Sequence, residues 1–283
     1  MISYWQAIVL GLLQGVSELF PISSLGHSVI VAQLLGWNIS ANSNFFLTFL
    51  VGTHFATALV LLGFFWKDWV RIVKGLGRSL RDREIADPDS RLAWLLIVAT
   101  IPAGILGLTL EHKLRTVFTS ATSASIFLML NGVMLYGAEL LRRRAPVDEL
   151  GDPDVRIAER VGWKESGAIG AAQSIALIPG FSRSGAAMSG GLLVGLTNID
   201  AARFAFLLAT PIIFAAAVLK LPDLLGSTGN GVRGQTLVGA ICSAVTAYLA
   251  VRFLMRFFHT NRLTPFAIYC LIAGFACLLY FVS

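Results

Sequence analysis

SELFPISSLGH, residues 17–27, sets a carboxylate, serine hydroxyls and an imidazole inside an otherwise apolar region. Pro21 and Gly26 interrupt that region, Tyr4–Gly36. Each side of the break holds about 15 residues, fewer than the roughly 20 a helix needs to cross a bilayer. A second region, Glu165–Gly195, is interrupted in the same manner at PGFSRSG, residues 179–185. Short apolar pieces around a break suit re-entrant helical hairpins. Irregular backbone at membrane depth is tolerated only where it is buried in protein or lines a wet cavity.

Beyond the two breaks, six uninterrupted apolar stretches are long enough to span: Phe45–Trp66, Leu92–Leu110, Ser120–Leu141, Ala202–Leu221, Arg233–Phe257 and Thr264–Val282. The 283 residues are 56% hydrophobic and 13% charged, about half the charged fraction of a soluble domain. The composition defines an all-α polytopic membrane protein, one membrane domain over residues 1–283 with six transmembrane helices and two re-entrant hairpins. Met1–Leu13 has neither a basic n-region nor a cleavage site, so no signal peptide is expected. Cys242, Cys270 and Cys277 lie in apolar spans and read as small packing residues. The net charge of +6 needs no nucleic acid to explain it, because membrane proteins gather Lys and Arg in cytoplasmic loops.

The two broken regions align at an offset of 159 residues. Gln14 meets Gln173, Ser23 meets Ser182, Gly26 meets Gly185, Gly36 meets Gly195 and Phe45 meets Phe204. Chance similarity between Gly- and Ser-rich membrane segments would produce some of these matches. The element order is independent support: a hairpin and three spans, twice over. Three is odd, so the second copy starts on the opposite side, giving an inverted-topology repeat. The pseudo-repeats cover about 1–141 and 165–283, joined by a linker over 142–164. With the first hairpin entering from outside, Lys67–Arg91 and Arg142–Lys164 become cytoplasmic and carry seven and six of the 22 basic residues. Both termini then face outward.

Chemistry concentrates at the breaks. Arg183 in mid-membrane requires an anion. Either Glu18 pairs with it, or it grips a phosphate bidentately. Gln14 and Glu18 are four apart and share a helix face, where they could hold a divalent cation with phosphate oxygens, or simply form a polar helix end. Ser24 and His27 are three apart, a spacing that lets a base activate a hydroxyl. Ser23 and Ser24 equally suit the N-cap of the following helix, and His27 a satisfied buried histidine. SSLG and SRSG each lead into a half-helix whose free N–H groups favour an anion. A phosphorylated lipid would explain such chemistry at this depth.

Other polar residues read more plainly. His54 packs between helices with no partner evident in sequence. Glu139 lies at the interface beside Arg142–Arg144, Asn198–Asp200 caps the next span, and Asp148, Glu149, Asp152 and Asp154 belong to a solvated loop.

QGVSELFPISSLGH and IPGFSRSGAAMSGG together resemble the two signature regions of the bacterial undecaprenyl-pyrophosphate phosphatase family, associated with bacitracin resistance. The resemblance covers the whole chain, including the FAIY segment Phe266–Tyr269. It implies an inner-membrane enzyme that removes the terminal phosphate of undecaprenyl pyrophosphate. The monophosphate formed is the lipid carrier of peptidoglycan and other envelope polymers. It also implies dependence on Mg²⁺ or Ca²⁺ and a site open to the outer, periplasmic face. The family's acidic motif falls on Gln14 and Glu18, where the first position is often Glu. Its P-x-S-S-x-G-H motif falls on Pro21, Ser23, Ser24, Gly26 and His27, and its P-G-x-S-R-S-G motif on Pro179, Gly180, Ser182, Arg183, Ser184 and Gly185. The family commonly has Thr where this chain has Ala187. The acid-phosphatase-like lipid phosphatases require a His six residues after the Arg, and Ser189 stands there.

On this reading Glu18 and Gln14 hold the metal. Arg183 and the half-helix N–H groups at Ser23, Gly26, Ser182, Ser184 and Gly185 hold phosphate. Ser24 attacks with His27 as base, or His27 itself attacks or activates water; the residues leave these alternatives open. The partners are the polyprenyl pyrophosphate lipid and the bilayer, with a homodimer an open alternative to the monomer. A polyprenyl-phosphate transporter would suit the same broken-helix architecture.

Overall fold

The computed structural model describes residues 2–37, 44–118, 120–142, 151–226 and 231–283. Within them all regular structure is helical, with no strand. Six helices are long and apolar enough to cross a membrane. They are α3 (Asn44–Phe64), α5 (Pro88–Phe118), α6 (Ala121–Arg142), α10 (Asn198–Leu225), α11 (Arg233–Phe257) and α12 (Thr264–Val282). The first expected span ends at Phe64, not Trp66, because Phe65 caps a separate helix, α4 (Trp66–Asp82). The segment Lys67–Arg91, expected to be loop, is therefore α4 followed by the first turn of α5.

The two interrupted regions are pairs of short helices. The first is α1 (Tyr4–Leu19) and α2 (Ser24–Leu34), with Phe20–Ser23 between them. The second is α8 (Trp163–Ala172), a 3-10 turn over Gln173–Leu177, and α9 (Arg183–Leu193). A further short helix, α7 (Pro153–Arg160), lies in the linker, capped by the Asp152 side chain. Arg143, Arg144, Asp148 and Glu149 fall outside the described residues.

Small residues let the pieces approach. On α1, Gly11 packs against Gly239 of α11 so closely that a Cβ would overlap the facing carbonyl, and Gly15 does the same at Ser243. The small-xxx-small spacing on both helices is the ordinary basis of close helix packing in lipid. The Thr246 hydroxyl bonds the Leu12 carbonyl at 3.0 Å across the same seam. On the second pair, Gly170 sits against the Ala99 backbone of α5, and Ser166 bonds the Leu95 carbonyl at 2.6 Å. The three cysteines are free.

Within the described part of the linker, Asp154 is less solvated than the composition implies. Asp154 and Asp200 are each only 1% exposed. Asp154 receives Arg71 and Arg203, the latter at 2.7 Å, and Arg203 reaches Asp68 at 2.8 Å. Arg156 grips Asp200 through two bonds of 2.9 and 2.7 Å. This network ties α4, α7 and α10 together at one end of the bundle. Burial alone would raise the Asp152 carboxyl, but the Asp154 N–H and the Arg71 guanidinium hold it below the ordinary carboxylate value.

Candidate active site

Asn131 brings the breaks together. It is buried, and it is the eleventh of the 22 residues of α6, half-way along that span. Its Nδ2 donates to the Pro21 carbonyl at 2.8 Å in the first break, and its Oδ1 accepts from the Ser182 N–H at 3.0 Å in the second. A buried backbone group left unpaired costs roughly 1–3 kcal/mol, so one amide satisfies one group in each break. Sequence reading missed Asn131; a lone Asn in an apolar span was the available signal.

Ser23 completes the junction. Its hydroxyl accepts from Gly26 N–H at 3.2 Å, capping α2, and from Gly180 N–H at 3.1 Å in the other break. Ser23 has φ 72°, a region a non-glycine residue enters at a cost of about 1–3 kcal/mol. The two accepted bonds hold it there. Gly26 lies against Gly180, where a Cβ would come to 2.8 Å of the Gly180 N. In the second break Ser182 caps α9, accepting from Gly185 N–H at 3.1 Å. Ser184 donates to the Phe20 carbonyl at 3.2 Å.

Glu18 collects donors. Its Oε2 accepts from Gln14 Nε2 at 3.0 Å and from Ser24 Oγ at 2.5 Å, and His54 Nε2 lies 3.3 Å away. Gln14 and Glu18 are thus hydrogen-bonded neighbours on one face of α1. His54, read as a partnerless packing residue, is instead the basic partner of Glu18. Its Nδ1 donates to the Leu50 carbonyl at 2.7 Å, so both ring nitrogens face acceptors and a doubly protonated ring satisfies both. The pairing joins residues 36 positions apart on different helices, which helical spacing could not reveal.

Ser24 and His27 are not paired with each other. Ser24 turns to Glu18, while His27 Nδ1–H donates to the Ser23 carbonyl at 2.7 Å. That bond fixes the tautomer, leaving Nε2 of the neutral ring to accept from the Tyr269 hydroxyl at 2.8 Å. The i, i+3 spacing was compatible with contact, but the carbonyl at the helix start captures the imidazole first. Tyr269 ends the FAIY segment and brings α12 to the site.

Arg183 does not pair with Glu18. It is half-buried, and its Nη1 is fully enclosed without a hydrogen-bond partner. Gln14 Oε1 is likewise buried and unpartnered. One orphaned donor and one orphaned acceptor therefore flank the junction. Among the described residues no three His, Cys, Asp or Glu side chains converge as a metal cage. The donor set present, Gln14 Oε1 beside the Glu18 carboxylate, fits a hard divalent ion that takes one carboxylate and draws its other oxygens from phosphate and water.

Two further polar residues take partners at helix ends. Glu139, expected at the interface beside Arg142, is 1% exposed and accepts from Asn198 Nδ2 at 2.8 Å and Leu263 N–H at 3.0 Å, tying the starts of α10 and α12 to the end of α6. The cap of α10 is Thr197, whose hydroxyl accepts from Asp200 N–H at 3.0 Å; Asn198 is already helical.

Fold and site together define a polytopic helical membrane protein with a charged junction at the middle of a span. The chain belongs to the family described as bacitracin resistance protein BacA, which matches residues 7–276. It is 53% identical to the undecaprenyl-diphosphatase of Mycolicibacterium paratuberculosis, over 99% of this chain and 97% of that one. It is 52% identical to the undecaprenyl-diphosphatase of Mycobacterium avium, with the same coverage. An undecaprenyl-diphosphatase 2 of Frankia alni is 43% identical over 99% of this chain and 98% of its own length.

Proposed function

We propose that this chain hydrolyses undecaprenyl pyrophosphate to undecaprenyl phosphate and inorganic phosphate, returning the lipid carrier to peptidoglycan and envelope polymer synthesis. Family membership and full-length similarity to proteins named undecaprenyl-diphosphatase support this. The observation that carries the chemistry is the 2.5 Å bond from Ser24 Oγ to a Glu18 carboxylate set beside an unpartnered Arg183 nitrogen.

The two breaks are read as tips of re-entrant hairpins in an inverted repeat. Their meeting at the half-way residue of α6, and the matching glycine N–H caps at Ser23 and Ser182, support it. The excess of basic residues at the Lys67–Arg91 and Arg142–Lys164 end supports a cytoplasmic end there and a site open to the outer face of the inner membrane.

In the proposed mechanism the diphosphate lies between the tips. Arg183 and the N–H groups opening α2 and α9 hold its oxygens, with charge stabilised by preorganised donors. Ser24 Oγ attacks the terminal phosphorus in line and passes its proton to Glu18, its bonded acceptor, and not to His27. The bridging P–O bond breaks, and undecaprenyl phosphate leaves with the electron pair. Water then attacks the phosphorus of the Ser24 phosphate, giving its proton to His27 Nε2; the Ser24 Oγ–P bond breaks, Oγ recovers its proton from Glu18, inorganic phosphate leaves, and His27 returns its proton to solvent. A Mg²⁺ or Ca²⁺ ion, when bound, neutralises phosphate charge; Gln14 Oε1 and Glu18 are the residues that would hold it. His54 helps to fix the Glu18 carboxylate, approaching the same Oε2 that accepts from Gln14 and Ser24.

Phosphate release from undecaprenyl pyrophosphate by the purified chain in detergent, with no second compartment, tests the enzyme. Release above background supports hydrolysis. Head-group translocation in vesicles with no release would replace it with a transporter.

A further inference from the structure

Basic groups gather where α11 ends. Arg252 and Arg256 stand one turn apart on its last two turns, His259 follows in the turn beyond, and Arg262 precedes α12. All four are exposed. Arg262 approaches the buried Glu139 to 4.0 Å, whereas Arg252 and Arg256 have no acidic or hydrogen-bonding partner among the described residues. Beside them opens a cleft of about 590 Å³ lined by Phe253, Arg256, Phe257, His259, Thr260 and Asn261.

Three features set this cleft apart from an ordinary basic surface. The first is depth: α11 is apolar enough to span over Arg233–Phe257, so the cleft lies where the span ends, at the level of lipid head groups. The second is uncompensated charge. Like charges at i, i+4 repel, and among the described residues no carboxylate relieves Arg252 and Arg256. The third is the wall. Phe253 is half exposed, so a ligand with a charged head and apolar tails meets guanidinium and aromatic surface together.

The cleft is also joined to the first break. The Phe253 ring stacks on Phe20 with centroids 5.8 Å apart, and Phe20 meets Phe266 edge-on at 5.3 Å. Phe20 directly precedes Pro21, and its carbonyl accepts from Ser184. Phe253 lines the cleft and Phe20 does not, so these rings lie between the cleft and the Ser23–Ser24 junction.

We propose that the cleft binds the phosphate head group of an anionic bilayer phospholipid, with Arg252 and Arg256 on the phosphate and the acyl chains along Phe253. Basic pockets at the cytoplasmic ends of membrane helices suit such head groups. The exposed aromatic wall favours a lipid over free phosphate. The intervening aromatic layer favours a bilayer lipid over the reacting polyprenyl one.

The test is the melting temperature of the purified full chain in neutral detergent. The additions are phosphatidylglycerol, phosphatidylcholine, inorganic phosphate or undecaprenyl phosphate, each given to the wild type and to the Arg252→Gln/Arg256→Gln double variant. Phosphatidylglycerol at roughly tenfold excess over its dissociation constant should raise the wild-type midpoint by about 3–5 °C. The double variant should lose that rise while keeping its midpoint in phosphatidylcholine. Native mass spectrometry should count phosphatidylglycerol retained on the wild type, a readout that survives if the variant folds badly. An equal rise with phosphatidylcholine, an equal rise in the variant, or a rise with inorganic phosphate alone would overturn the site. So would a requirement for undecaprenyl phosphate. None of these readings involves hydrolysis, so they stand apart from the enzyme assay.

Discussion

Ser23 and Ser182 do the same local job at the two breaks: each hydroxyl accepts from the N–H of a glycine three residues on, at 3.2 and 3.1 Å. Beyond that cap the breaks part company. Ser23 is held at φ 72° by a second bond reaching across to Gly180, while Ser182 keeps an ordinary extended backbone at φ −98°. Around the first break Glu18 is surrounded by Gln14, Ser24 and His54. In the second, Arg183 carries an enclosed nitrogen with no hydrogen-bond partner among the described residues. One break is a preassembled acid–hydroxyl–imidazole cluster, and the other presents a guanidinium nitrogen free to donate to an external anion. Local repetition of a cap therefore need not repeat chemistry: the residue next to each capping serine, Ser24 or Arg183, assigns the half-site its work.

That division can be broken by substitution. Arg183→Ala should lower phosphate release by about 10²–10³-fold, as expected for losing a preorganised donor to developing charge. Arg183→Lys should recover little, because a point charge does not reproduce a two-pronged grip. Full activity in the lysine variant would remove the bidentate role. Substitutions in the first break test the acid cluster. Glu18→Gln and Ser24→Ala should each be severe, and the double variant no worse than the more damaged single one, since both act through one hydrogen bond. Additive losses in that cycle would separate serine from carboxylate.

His54→Ala should cost about 10–100-fold, chiefly in kcat, the scale seen when a partner orienting a ligand or acid is lost. His54→Gln, which can still present an N–H to Glu18, should recover part of it. Asn131→Ala should act on both breaks at once, lowering stability by about 2–4 kcal/mol because a Pro21 carbonyl and a Ser182 N–H lose their partner. A thermal midpoint unchanged by that substitution would mean the breaks are held by other contacts.

The smallest effect belongs to the charged end. Asp152 has a carboxyl held below its ordinary value, so it contributes stability at neutral pH that is kept above the unfolded carboxylate range near about 3.9. The contribution is lost as pH falls through the lower native value. Asp152→Asn should flatten the acid limb of a stability profile slightly, and leave neutral-pH activity unchanged.

The helical class, the span count and the two breaks were legible because each depends on composition or on residues close in sequence. Runs of apolar residues define spans, and Pro21 and the glycines mark where a helix stops. Ser23 as a cap and Gln14 beside Glu18 follow from spacing along one helix. Ser24 and His27 had permitted spacing, yet each found a better acceptor. His54, Asn131, Tyr269 and Glu139 were misread or unseen because their partners lie on other helices. An isolated polar residue in an apolar span announces only that it needs a partner.

The order of residues alone dictates that this chain must live in a bilayer, where its helices must stop, and which residue types stand at the stops. These follow from hydrophobic length and local backbone chemistry, and need no knowledge of neighbours. The packing of the helices was needed to establish that Asn131 joins the breaks, that His54 answers Glu18, and that an Arg183 nitrogen is enclosed without a hydrogen-bond partner among the described residues. Those outcomes depend on which helices meet, and in an apolar medium every buried polar atom must take whichever partner that packing brings within about 3 Å.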